Sequence, residues 1–448
     1  MTESNRTQMT CNDPIEIVSE FPHSPTAGAA YSLAGAKRED VIHGTHVAHK
    51  YPAKFIPQIP RWALKRIDSR PATVLDPFCG SGTTSVEAGR LGFRALGCDI
   101  SPLAVLITRA KCSILTSNDV SSWEKLSHQI VEIANQESQL LTDELKEAIG
   151  RDVHGLHYTW SNWFEPEGAA QLVALRRAIE QTVSNQMVRD CALTSLSSII
   201  KSCSYLNEDQ IKVRYDAGKK IAAPFISFPK AAASFFEKQL KLSHEYKNAE
   251  ASFDVQEASA LSLPFETESV DAVITSPPYI NAVDYTMAHK YNLFVLGLLS
   301  PPNFKDHCRD YIGVTERAVR AADISSRPQC KIAEVSPWID ALDGQKTPTA
   351  TNRAFVVTQY FNGMYDSFVE AFRVMKEGGT YTMIVGESNR ICGLTIPTAD
   401  LIEACAITAG FTVKEKFLHA LANRSAMRLT RSATGGEIPF ERVLVFCR

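Results

Sequence analysis

The stretch from Thr73 to Ile100 constrains this chain more than any other. Thr73-Val74-Leu75 has the β-branched, apolar character of a short strand and runs straight into Asp76-Pro77-Phe78-Cys79-Gly80-Ser81-Gly82-Thr83-Thr84. The two glycines allow a sharp turn and a close approach of the backbone to a ligand, and Thr83 to Leu91 reads as the helix that follows. Ala95-Leu96-Gly97-Cys98-Asp99-Ile100 is a second strand, with Ser101-Pro102 opening another helix. Strand, glycine loop, helix and strand in that order begin a doubly wound α/β domain.

The N–H groups exposed where such a loop enters its helix favour a carboxylate or a phosphate. The loop is not GxGxxG, and it lacks the lysine of a phosphate-cradling GxxxxGK[ST] loop. A cofactor with a carboxylate at one end and an adenosine at the other suits it better than one with a pyrophosphate. Asp99, at the end of the second strand, is placed either to accept ribose hydroxyls or to cap the next helix. Glu257, after the strand at Phe253-Asp254-Val255, is either an acceptor for an adenine amino group or a solvated loop acid.

A second motif lies about two hundred residues on. The apolar run Val270 to Ile274 leads into Ser276-Pro277-Pro278-Tyr279, and two consecutive prolines end both ladder and helix. The turn leaves a hydroxyl, two carbonyls and a phenol at the edge of the sheet, a set suited to holding a flat polar ring.

These motifs divide the 448 residues. Residues 1–40 are Ser-, Thr- and Ala-rich with weak periodicity and read as a flexible leader. Residues 41–112 carry the glycine loop, and 113–248 have helical apolar spacing and few strand signals, a mostly helical insertion. Residues 249–300 carry the proline motif, 301–358 are basic and loop-rich, and strand signals return within 359–448. A net charge of −3 gives no global basic field, although local Lys and Arg clusters still allow nucleic-acid contact. The chain start lacks the apolar core of a signal peptide and no segment has the length of a bilayer span, so a cytoplasmic protein is expected. Eleven cysteines without a CxxC pair or Cys/His cluster argue against a zinc site or structural disulfides, and no metal is expected.

With these residues in view, the chain resembles the S-adenosylmethionine-dependent DNA methyltransferases that modify exocyclic amino groups. DPFCGSGTT is similar to their cofactor loop, Ser276-Pro277-Pro278-Tyr279 to their catalytic motif, and HKYPAKFIPQIPRWAL to the segment that closes over the methionine end. The resemblance implies a Rossmann-like methyltransferase sheet with S-adenosylmethionine as cofactor. It places Asp76, Phe78, Gly80, Gly82 and Thr83 in the loop at the methionine portion, Asp99 at the ribose, Glu257 at the adenine, and Lys54 and Phe55 in the closing segment. It makes Ser276, Pro277, Pro278 and Tyr279 the catalytic group, with Tyr279 stacking on a flipped base. Serine in the first position resembles the N(4)-cytosine enzymes, where aspartate or asparagine goes more often with N(6)-adenine. Many enzymes with this motif have a permuted order; here the cofactor loop comes first, followed by a long insertion.

The implied partner is double-stranded DNA, in a restriction-modification or defence system with a cognate endonuclease. Candidates for DNA contact are Lys212, Arg214, Lys219 and Lys220 near Tyr205 and Tyr215, the cations Lys305, Arg309, Arg317, Arg320, Arg327 and Lys331, and Arg424, Arg428 and Arg431. Each group also reads as an ordinary solvated face. Methylation of adenine, methylation of an amino group in RNA, and a catalytically silent nucleic-acid-binding module are the alternatives.

Overall fold

The computed structural model describes residues 14–52, 54–140, 163–211, 213–280, 285–299, 301–313, 319–421 and 440–448. Its sheet is built around β3 (Thr73–Asp76), whose Val74 and Leu75 are buried on both faces as in a strand covered by helices on two sides. β4 (Arg94–Asp99) and β5 (Ser252–Glu257) extend the sheet in parallel on one side of β3. β6 (Val270–Thr275) and β7 (Met375–Gly386) extend it in parallel on the other. The chain thus winds outward through β4 and β5, then crosses back to β6, and the reversal falls between the carboxyl ends of β3 and β6. In an open doubly wound sheet that reversal is where a crevice forms. The glycine loop leaves β3 and the proline motif leaves β6, so topology alone brings the two motifs together.

After β7 the chain forms a separate antiparallel pair, β8 (Asn389–Ile391) and β9 (Leu394–Ile396), and past β7 the main sheet turns antiparallel. β11 (Phe440–Cys447) lies between β7 and β10 (Thr412–Ala420), antiparallel to both. At that edge β1 (Ile15–Ile17) and β2 (Ala30–Ser32) complete a nine-stranded sheet of order β1-β2-β10-β11-β7-β6-β3-β4-β5. The expected flexible leader is therefore corrected from residue 14 onward. What orders this segment is long-range aromatic packing: Phe21 meets Tyr31, Trp62 and Phe417 edge-on with centroids 5.0–6.2 Å apart. Isolated aromatics in a Ser/Ala-rich stretch leave no periodic trace.

Between β4 and β5 stand the helices Pro102–Cys112, Ser117–Leu140, Pro166–Thr182, Gln186–Ile199 and Pro224–Asn248. Leu103 and Ile107 of the first share a core with Leu172, Leu196 and Phe228, and with Tyr291 and Phe294 of the helix Tyr285–Val295 that follows the proline motif. The helical region is thus packed directly on the helix after Asp99. The 301–358 stretch, expected to be loop-rich, contains Pro301–His307, Ala321–Ser325, Ser336–Asp343 and the start of Pro348–Val374. Pro337 and Pro348, which read as loop residues, sit in the first turns of their helices, where a missing N–H costs nothing. Among the described residues no helix is long and apolar enough to cross a membrane.

Gly92 shows how tightly the turn into β4 is built. Its φ is +76°, and a Cβ there would stand 2.6 Å from the Ala249 carbonyl oxygen. Gly92→Ala is expected to lower stability by about 3 kcal/mol in a denaturant titration, strain and backbone clash together. A loss under about 1 kcal/mol would show that the turn relaxes freely.

Candidate active site

The carboxyl ends of β3 and β6 are tied by one buried hydrogen bond, from Thr275 Oγ1 to Asp76 Oδ1 at 2.6 Å. Asp76 Oδ1 also accepts the Phe78 N–H at 3.1 Å. Burial pushes the Asp76 carboxyl up to about 6, against the pull of these donors. Asp76 is buried and does not line the crevice: the sequence placed it among cofactor contacts, and its hydrogen bonds in the structure fix both motifs at the switch point. Gly82 is likewise displaced from the lining. With φ +77° it caps the helix Thr83–Arg90, and a Cβ on it would come 2.9 Å from Thr108 Oγ1. Lys111, fully buried and held well below its usual pKa by that burial, donates to the Ser81 carbonyl at 2.8 Å and supports the loop from behind.

The crevice is concave and partly open to solvent, the form of a small-molecule site. Phe78, Gly80, Ser81 and Thr83 of the loop line it, as do Lys54 and Phe55, all but Ser81 expected. Asp99 forms part of the wall; Oδ2 accepts the Gly80 N–H and Oδ1 the Ser101 N–H, each at 2.9 Å. Helix capping falls instead to Ser101, whose hydroxyl accepts from Ala104 N. Burial raises the Asp99 carboxyl to about 6 and lowers the Lys54 amine to about 8; Lys54 donates to the His46 carbonyl.

Ser276 and Pro278 line the crevice from the β6 side. Among the described residues none hydrogen-bonds to the Ser276 hydroxyl or the Pro277 carbonyl, whereas the Pro278 carbonyl accepts Tyr360 Oη–H at 3.0 Å. Tyr279 stands beside the crevice, its hydroxyl donating to Glu441 Oε1 at 2.6 Å, and burial followed by the Glu441 charge holds its phenol well above the usual pKa.

Glu257 is a correction. It pairs in register with Asp99 across β4 and β5 but is exposed and outside the lining, which Ser259 and Ala260 supply instead. Registered partners on neighbouring strands share a face of the sheet, so Glu257 lies on the face of Asp99 and is set apart from the crevice by standing one strand further out. Other wall residues carried no sequence signal: Tyr285, and Asp310, Tyr311 and Ile312 from the stretch read as basic. Tyr51, also in the wall, stacks on His289 with centroids 4.7 Å apart.

The cradle suits an adenosine-bearing sulfonium. The Ser81 hydroxyl is buried without a partner among the described residues, Asp99 retains lone pairs beyond its two N–H bonds, and aromatic rings at Tyr51, Phe55 and Phe78 flank the space. A ligand with polar ends and a flat ring suits these walls.

Comparison with known proteins agrees with this geometry. Residues 26–109, which contain the loop and Asp99, match the family model described as DNA methylase, of the N6/N4 methyltransferase type. Over those residues the chain is similar to that amino-methyltransferase family. The methylase is 24% identical over 389 residues to the type II methyltransferase M.MvaI of Kocuria varians, covering 80% of each chain. It is 22% identical over 376 residues to M.AvaI of a Nostoc species, covering 76% of this chain and 73% of that one. To M.BsoBI of Geobacillus stearothermophilus it is 26% identical over 257 residues, 51% and 48% of the two chains. Enzymes of this family take their methyl group from S-adenosylmethionine.

The structure separates the methylase's basic clusters. Lys219 is largely buried, donates to the carbonyls of Lys201 and Leu206, and pairs with Glu208 at 3.3 Å, so it braces a turn and is withdrawn as a DNA contact. Arg214 and Lys220 are exposed, beside stacked Tyr205 and Tyr215 with centroids 5.1 Å apart. Four cations of the 301–331 stretch are compensated, Arg309 with Asp323, Arg320 with Asp306, Arg327 with Asp343 and Lys331 with Asp366, all within 3.0 Å. Those pairs weaken the stretch as a phosphate-binding face. Lys212, Arg317, Arg424, Arg428 and Arg431 lie outside the described residues.

Proposed function

We propose that this methylase transfers a methyl group to the N4 amino group of a cytosine flipped out of double-stranded DNA. The observation that carries the reading is the Ser276 hydroxyl, unpaired among the described residues and facing the same crevice as Asp99 and the glycine loop. Bound S-adenosylmethionine supplies a methyl group on a positively charged sulfur, already activated toward displacement.

The difficulty lies in the base, whose amino lone pair is delocalised into the ring. Ser276 Oγ and the Pro277 carbonyl accept hydrogen bonds from the two amino protons, drawing the nitrogen toward tetrahedral geometry and freeing that lone pair. Tyr360 holds the Pro278 carbonyl, so the turn keeps its shape as the base enters. Inside a duplex the amino group is out of reach, and the flipped base is held against the Tyr279 ring. Phe78, Gly80 and Thr83 receive the methionine end, Asp99 the ribose, and Lys54 and Phe55 close over the site. Alignment of methyl and amino nitrogen gives much of the remaining acceleration.

Arg214 and Lys220 are the remaining candidates of the first basic cluster for backbone contact. The role extends to protecting a site from a companion restriction endonuclease that reads the same sequence; the relatives above are named type II methyltransferases. Incubation with S-adenosylmethionine labelled in its methyl group, and with amplified unmodified DNA or RNA in parallel, tests the substrate class. Label in DNA and not in RNA is expected; label in RNA alone would sink the proposal.

A further inference from the structure

Tyr279 is anchored by groups that lie far outside its motif. Its hydroxyl donates to Glu441 Oε1 at 2.6 Å, and Glu441 Oε2 lies 3.1 Å from His419 Nδ1. His419 and Glu441 are cross-strand partners on β10 and β11, so the sheet ladder sets their separation. Glu441 is 7% exposed and His419 1%. His419 is itself enclosed by the ring of Phe21, edge-on at 5.6 Å, and by β2, where Tyr31 is its partner in register.

The motif's main chain is secured separately, by the Tyr360 hydroxyl on the Pro278 carbonyl. The Glu441 contact therefore acts on the orientation of the Tyr279 ring and leaves the path of the turn to other bonds. A carboxylate taken out of water between a phenol and an imidazole is a poor device for stability, because an apolar residue of similar volume usually does as well. Its location at the end of the catalytic turn gives it another use.

We propose that Glu441 is a positioning residue for Tyr279, gripping the phenol so that one ring face is presented to the target base. This rests on reading Ser276 to Tyr279 as the base-holding motif. The N-terminal segment belongs to the same device, since Phe21 and β2 enclose the histidine that backs the carboxylate.

The experiment compares Glu441→Leu, Glu441→Gln, Tyr279→Phe and the Tyr279→Phe/Glu441→Leu double variant in methyl transfer to amplified unmodified DNA. Cofactor affinity is measured in parallel by calorimetry. Glu441→Leu is expected to raise KM for DNA about tenfold with cofactor Kd within about twofold, and Tyr279→Phe to reproduce it. Glu441→Gln restores KM to within about threefold, because the amide oxygen still accepts the phenol proton. The double variant is no worse than Glu441→Leu alone, as required of two groups acting through one bond. Should the leucine variant fail to fold, Tyr279→Phe against Glu441→Gln carries the comparison. An active wild type with Tyr279→Phe at wild-type KM, or additive effects in the double variant, overturns the positioning role alone. A wild type that transfers no methyl to DNA removes the base-holding reading beneath it.

Discussion

Asp99→Ala is expected to weaken S-adenosylmethionine binding about a hundredfold. The carboxylate accepts the N–H groups of Gly80 and Ser101, and in the proposed complex it also accepts ribose hydroxyls. Each lost bond is worth roughly 1 to 1.5 kcal/mol, and two to three of them account for about a hundredfold in Kd. The same carboxyl is raised by burial from 3.8 to about 6, which gives the prediction a pH signature. Binding that uses the ionised form competes with the proton, so affinity is expected to fall about tenfold per unit below pH 6 and to be flat above pH 7. Folding runs the other way. A carboxyl with a raised folded-state pKa adds stability below 3.8 that is lost as pH rises through about 6, so at neutral pH Asp99 is kept ionised at a cost to the fold. Calorimetry at pH 5 and pH 8 checks both statements. A variant within about threefold of wild type, or a flat profile, would contradict the assignment.

Ser276→Ala is expected to lower kcat about a hundredfold, with cofactor Kd within about twofold. Removing one preorganised hydrogen-bonding group aimed at a reacting centre typically has that size. The Pro277 carbonyl remains as the second acceptor, so some activity persists. Single-turnover measurement with saturating cofactor isolates the effect from product release. A kcat within about threefold of wild type would mean that the hydroxyl does not act on the amino group.

The parallel half of the sheet and both motifs were legible in the sequence because their signals are local. Thr73 to Leu75, the glycine loop and the double proline each announce a chain reversal within a few residues. The meeting of the motifs followed from topology, since strands that wind out and back must place β3 beside β6. Contributions from distant segments were not legible. Asp310 and Tyr311 enter the wall from a stretch whose composition suggested phosphate contact, and its Arg309, Arg320 and Arg327 proved to be paired with acids. Phe21 and β2 joined the sheet through aromatic packing that has no period. Glu257 was at the right strand end but one strand beyond the crevice, and Lys219 was the right charge in the wrong place. Such errors share one cause: burial and side-chain direction depend on partners far away in the chain.

The central claim is the identity of the acceptor. Amplified DNA, unmodified by preparation, is incubated with the protein and S-adenosylmethionine, digested to nucleosides and resolved by mass spectrometry against N(4)-methylcytosine, 5-methylcytosine and N(6)-methyladenine standards. The account predicts N(4)-methylcytosine, absent when the Asp99→Ala protein is used at cofactor concentrations near the wild-type Kd. N(6)-methyladenine as the product, or no methylated nucleoside at all, would contradict it.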